Sequence, residues 1–214
     1  MSTTSFTPGQ PGDFAFGADN MAQAKTIIAR YPEDRQASAT IALLDLAQRQ
    51  SGGWLPKEAI EYVANLLAIA PIRVYEVATF YTMFNLKPVG KHFIQVCRTT
   101  PCWLCGSDGI TAACLDKLSV GLGETTEDGQ FTVVEVECLG ACANAPMAQI
   151  NDDYFEDLTP ERMAEIIDEL RAGKEVPIGP QTGRQGSCPA GGPTSLLDQF
   201  GSGAAQPGNG EGAG

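Results

Sequence analysis

Four stretches in the first half of the chain repeat their apolar residues every three or four positions. Met21, Ala24, Ile28 and Tyr31 share one face and stop at Pro32; Ile41, Leu44 and Ala47 form a second face that ends at Gly52 and Gly53. Ile60, Val63, Ala64 and Leu67 follow Pro56, and Val74, Val77, Ala78 and Tyr81 follow Pro71. This spacing stacks side chains along one side of an α-helix, and proline suits a first helical turn but not an interior one. The pattern predicts a small helical bundle over residues 18–88. Residues 1–17, rich in Gly, Pro, Ser and Thr and without apolar periodicity, read as a flexible lead-in.

After "NLKPVGK" the period changes to two. Ile94 and Val96 flank Gln95 in a run that ends at Cys97, and "FTVVEVEC" (131–138) alternates Val134 and Val136 with Glu135 and Glu137 before it reaches Cys138. Each predicted strand therefore delivers a cysteine. Residues 106–118 read as a helix between them, and "PMAQI" and "DYF" on either side of "NDD" read as a hairpin. A last helix has Thr159 as N-cap and Pro160 at its first position, with Met163, Ile166, Ile167 and Leu170 on one face up to Gly173. The order β-α-β-β-α pairs the first two strands in parallel and the last two as a hairpin, as a thioredoxin-like layer of sheet and helices requires. The fold class is α+β: a helical bundle, a thioredoxin-like domain over 89–175, and an extended tail over 176–214. That tail is dominated by Gly and Pro, only "TSLLDQF" has a helical pattern, and it is expected to be ordered, if at all, by a partner.

Composition narrows the function. At 214 residues and 43% hydrophobic content, the chain can bury its own core. No apolar run approaches the roughly 18 residues of a membrane span, and the first twenty residues contain no Lys or Arg for an export or mitochondrial leader. A full-length cytoplasmic protein is the expectation. A formal charge of −12 opposes binding to nucleic acid or to anionic lipid, so neither is an expected partner. Seven cysteines is an odd number, and in a reducing compartment closely spaced thiols favour metal or redox chemistry over structural disulfides.

Three of those cysteines lie in "CRTTPCWLC" (97–105) and two in "CLGAC" (138–142). One reading uses Cys97, Cys102 and Cys105 in the plant-type ferredoxin spacing with one distant cysteine. The other takes Cys97 with Cys102 and Cys138 with Cys142, a pair from the end of each strand. Both give the four thiolates of a 2Fe-2S cluster, and the symmetry of the strand ends favours the pairs. Zinc is a weaker alternative because neither pair has the two-residue spacing of a zinc knuckle. A dithiol at Cys102 and Cys105 leaves the other placed cysteines unexplained. Cys114, among Ala112, Ala113 and Leu115, reads as a core residue, Cys188 as a free thiol covered by a partner, and His92 as structural. Glu161, Glu165, Asp168 and Glu169 read as a solvated helix face. No catalytic triad, paired catalytic carboxylates, G-x-G-x-x-G or P-loop is present, so the chain has no complete active site of its own.

The stretches "GGWLP", "EVATFYTMFNLKPVGKHFIQVCRTTPCWL" and "ECLGACANAPMAQINDDYFEDLTPE" closely resemble the thioredoxin-like 2Fe-2S subunit of respiratory complex I, the NADH:ubiquinone oxidoreductase. The tail "GPQTGRQGSCPAGGPTSL" is similar to the longer form of mitochondria and related bacteria. The resemblance implies that Cys97, Cys102, Cys138 and Cys142 hold one 2Fe-2S cluster, with Cys105 a surplus thiol. It implies an electron-transfer role: NADH reduces FMN on a partner flavoprotein, and the cluster accepts single electrons from that flavin. NADH and FMN then belong to the partner, not to this chain. The implied neighbours are the flavin- and NADH-binding subunit and an adjoining iron–sulfur subunit. The implied location is the peripheral arm of a membrane-bound complex, on the cytoplasmic side of the inner membrane and without direct membrane insertion. Equivalent subunits serve NAD-linked hydrogenases and formate dehydrogenases, which are the alternative context, and a mainly structural assembly role is a third. A cluster of net charge −2 or −3 needs donors aimed at its sulfurs. Gly106, Gly140, Thr99 and Thr100 are the candidate sources. Arg98 is the only nearby cation in sequence, so a low potential, roughly −400 mV as in plant-type clusters, is expected.

Overall fold

The computed structural model describes residues 14–189 and Ser195. It divides into two compact units that meet in sequence between Lys91 and His92.

In the first unit, helices α1 (Ala18–Ile28), α2 (Thr40–Gln50), α3 (Lys57–Leu66) and α4 (Pro71–Phe80) occupy the four periodic stretches. Proline sits at N1 of α4 and at the N-cap of α3, where a missing N–H costs nothing. The core is built from Ala24, Leu43, Leu44, Ala47, Ile60, Val63, Ala64 and Val74. Ile41, expected on the buried face of α2, is instead 37% exposed, because Leu43, Leu44, Leu46 and Ala47 define the inner face. Phe14 and Phe16 pack edge-on against Tyr62, so the end of the expected lead-in belongs to this core. Residues 1–13 of that lead-in lie outside the described residues.

The second unit is a five-stranded sheet in the order β2-β1-β3-β4-β5, with β1 His92–Cys97, β2 Phe131–Val136, β3 Ala148–Ile150, β4 Asp153–Glu156 and β5 Gly179–Pro180. β1 and β2 are parallel, with Cys97 opposite Val136. β3 and β4 form the expected hairpin around Asn151, which adopts a left-handed φ of 55°. Ile94, Val96, Val133, Ala148 and Phe155 pack with Ile110, Cys114 and Leu118 of α6 (Ser107–Leu118) and with Met163, Ile166 and Ile167 of α7 (Pro160–Arg171). Alternation along β1 turns Cys97 away from the side taken by Ile94 and Val96.

Three features were not legible in the pattern. A five-residue helix, α5 (Thr100–Leu104), carries Cys102, and Gly106 at φ +95° separates it from α6. The acidic face of α7 is not merely solvated: Arg162 pairs with Glu165 and Glu169, and Lys117 with Asp168. The tail pairs within the chain, because β5 runs parallel to β4. The helical pattern expected at 194–200 lies outside the described residues apart from Ser195. No described helix is long and apolar enough to cross a membrane.

Candidate metal centre

Parallel pairing puts the C-terminal ends of β1 and β2 at one edge of the sheet, so the loops that follow them emerge side by side. The first loop gives Cys97, the last residue of β1, and Cys102 on α5; the second gives Cys138 and Cys142. Cys97 and Cys102 are 2% and 1% exposed and pack with Met147, edged by Leu139, Ala141, Ala145 and Tyr154. Cys138 and Cys142 are exposed, with sulfurs 3.6 Å apart. Charge on Cys142 opposes ionisation of Cys102, and charge on Cys97 opposes that of Cys142, across the two loops. Among the described residues no group of three or more His, Cys, Asp or Glu side chains is arranged to hold a metal ion. The thiols stand as two pairs, the number that each iron of a 2Fe-2S cluster takes from a site of four cysteines.

Backbone groups treat the four sulfurs unequally. Burial opposes ionisation of Cys97, but the N–H groups of Thr99 and Leu139 and the Cys102 and Thr99 side chains outweigh it and hold this thiol below the ordinary range. Burial, together with the hydrogen bond to Cys97, pushes Cys102 up to about 12 against a smaller opposing effect of the Met147 backbone. Sharing a proton with Cys138 raises Cys142. The Gly140 N–H reaches Cys138 Sγ at 3.4 Å, where a φ of +84° suits glycine. Tyr154 donates its hydroxyl to the Leu139 carbonyl at 2.8 Å and so fixes the second loop from β4.

This donor set fits a 2Fe-2S cluster: four thiols in two pairs, with N–H groups turned toward sulfur. Thr99 Oγ1 is buried without a hydrogen bond of ordinary geometry while lying close enough to Cys97 to favour its thiolate, so it is a donor held for a sulfur. Of the donors expected from sequence, Gly140 and Thr99 act as anticipated. Gly106 does not, because its N–H is taken by the Trp103 carbonyl at 3.0 Å. The Leu139 and Met147 backbones were missed, since neither residue type marks such a role in sequence. Cys105 is exposed at the end of α5, and Cys114 is fully buried in α6, where burial raises its thiol to about 12. Cys188 is exposed, and His92 stacks on Phe131 at 5.0 Å, a structural role.

The model of the thioredoxin-like [2Fe-2S] ferredoxin family matches residues 24–171. The chain belongs to that family. The match takes in most of the helical unit and strands β1 to β4 of the sheet. In Rickettsia bellii the E subunit of NADH-quinone oxidoreductase is 62% identical over 159 residues, covering 74% of this chain and 95% of the relative. A mitochondrial NADH dehydrogenase [ubiquinone] flavoprotein 2 of Dictyostelium discoideum is 50% identical over 185 residues, 86% of this chain and 75% of that one. A crystal structure of an air-oxidised NAD+-reducing [NiFe]-hydrogenase shares the fold with a TM-score of 0.54 and 22% identity. That likeness covers 61% of this chain and 23% of the hydrogenase chain.

Proposed function

We propose that this ferredoxin is the electron-transfer subunit of the NADH-oxidising module of an NADH:quinone oxidoreductase, with one 2Fe-2S cluster held by Cys97, Cys102, Cys138 and Cys142. The observation that carries the reading is that the loops following two adjacent parallel strands each carry a cysteine pair. Relatedness at 62% identity to the Rickettsia NADH-quinone oxidoreductase protein supplies the enzyme context. The hydrogenase likeness, at 22% identity, concerns the fold and leaves an NAD-linked hydrogenase as the second context.

When bound, a 2Fe-2S cluster supplies a one-electron acceptor and donor. The residues of this chain decide how it is held. Cys97 and Cys102 form the buried pair, and the N–H groups of Thr99, Leu139 and Met147 oppose the cost of burying thiolates. Cys138 and Cys142 form the exposed pair and mark the side an electron partner reaches. That partner is the flavoprotein that binds FMN and NADH, with an iron–sulfur subunit adjoining, in the peripheral arm on the cytoplasmic side of the membrane.

Absorbance and reduced-state EPR of purified Cys142→Ala and Cys105→Ala chains test the ligand set. Cys105→Ala is expected to keep the wild-type 2Fe-2S signal, and Cys142→Ala to lose or distort it. The reverse result means that Cys105 is the ligand, and iron absent from every variant sinks the reading.

A further inference from the structure

The turn that bears Cys142 is tied down by a segment remote in sequence. Cys142 opens a 3-10 turn, Cys142–Asn144, which follows a residue in irregular conformation and ends before Pro146. Cys142 and Ala143 of this turn are exposed, and Asn144 is buried. Both of its later residues are gripped from residues 179–188.

The grip has three levels. β5 lies parallel to β4, with Gly179 opposite Phe155 and Pro180 opposite Glu156, and the Gln181 N–H continues the pairing to the Glu156 carbonyl at 2.9 Å. Arg184 then forms a fork on Asp157: Nε reaches Oδ2 at 2.7 Å, the NH2 group bonds Oδ1, and Thr182 adds a bond to Oδ2 at 3.2 Å. The same NH2 group donates to the Ala143 carbonyl at 2.9 Å, and NH1 donates to the Cys188 carbonyl at 3.2 Å. Arg184 and Asp157 are 13% and 11% exposed at their side chains, so the pair is shielded. The Asn144 side chain, 1% exposed as a residue, donates to Glu156 at 2.7 Å and to the Gly186 carbonyl at 2.9 Å, while the Asn144 backbone carbonyl accepts the Asp157 N–H at 2.8 Å.

From this geometry we infer that residues 179–188 are a strap that positions the Cys142 turn, and that Arg184 is its positioning residue. A planar guanidinium suits the task because its fixed fork bonds a carboxylate and a carbonyl at once. The role is one step removed from the metal: Arg184 orients Ala143, whose neighbour in the chain is the ligand. The inference rests on Cys142 as a ligand, and it places within this chain a part for the tail that the sequence assigned to a partner.

The test uses the purified full chain with Arg184→Ala and Arg184→Lys, with Cys142→Ala beside them. Three readings are taken: circular dichroism, the reduced-state EPR spectrum, and the rate at which a chelator strips iron. Arg184→Ala is expected to keep the wild-type dichroism, to broaden or shift the EPR signal, and to lose iron on the order of tenfold faster, as loss of outer support does at metal sites. Arg184→Lys, which keeps the charge beside Asp157 but cannot form the fork, is expected to fall between. If Arg184→Ala does not fold, the lysine variant decides on the same readings. Wild-type EPR and stripping rate in the folded arginine variants, with Cys142→Ala altered, overturn the strap alone. A wild-type signal from Cys142→Ala overturns the ligand assignment and the strap with it.

Discussion

Cys114 and Cys97 show how far burial alone fails to set the chemistry of a thiol. Both are buried, yet Cys97 has N–H groups turned toward its sulfur, whereas Cys114 packs in the apolar cluster between α6 and the sheet. One is held below the ordinary range, and the other is raised to about 12. The raised value links to stability with a definite sign. Above about pH 8.5 the unfolded chain releases the Cys114 proton while the folded chain retains it, so unfolding is favoured as pH rises. Wild type is therefore expected to lose stability relative to Cys114→Ala by about 1.4 kcal/mol per pH unit from about pH 9 up to the folded value. Urea denaturation of both proteins at pH 7, 9 and 10 measures this. A stability difference that stays constant over that range means the Cys114 site is more open than its packing indicates. Alkylation at pH 8 followed by mass spectrometry is expected to mark the exposed Cys105 and to spare Cys114.

Helix α7 shows which elements a sequence exposes and which it hides. Thr159 accepts the Arg162 N–H at 3.1 Å, Pro160 sits at N1, and Met163, Ile166 and Ile167 face the core. All of these signals lie within a few positions of one another, so the helix and its cap were readable. Thr159→Ala is expected to cost about 1 kcal/mol by removing the acceptor for an end N–H, seen as a lower urea midpoint with an unchanged slope. No change means water replaces the cap. The β3–β4 hairpin was legible for the same local reason, while the parallel pairing of β1 and β2 followed from the rule for strands joined through a helix. β5 was not, because two residues have no period, and the Arg184 bonds that hold its sequel reach Asp157 and Ala143 across 27 and 41 positions. α5 was hidden by its brevity, five residues with a proline inside. On α2 the expected face holds at Leu44 and Ala47, which are buried, and fails only at Ile41, because Leu43 and Leu46 also turn inward and centre the buried stripe away from it.

At the scale of the molecule, each unit has a core of its own. Leu43, Leu44, Ile60 and Val63 belong to one, and Ile94, Phe131, Met163 and Ile166 to the other. The four cysteines proposed as ligands, the N–H groups turned toward them and the strap all lie in the second unit. We propose a domain boundary near residue 89, since a domain with a hydrophobic core of its own can in principle fold alone. A chain of residues 89–189, expressed alone, is expected to be soluble and to show the EPR signal of the full protein. The shorter chain 89–175 keeps the four cysteines and the helices α5, α6 and α7 but lacks β5 and Arg184. It is expected to fold with similar dichroism and to lose iron faster, by the same order of magnitude as Arg184→Ala. If 89–189 is insoluble or binds no iron while the full chain does, the helical unit completes the metal domain and the boundary is misplaced. If 89–175 holds iron as well as 89–189, the strap steadies nothing that the cluster depends on, and the tail's part lies with the partner after all.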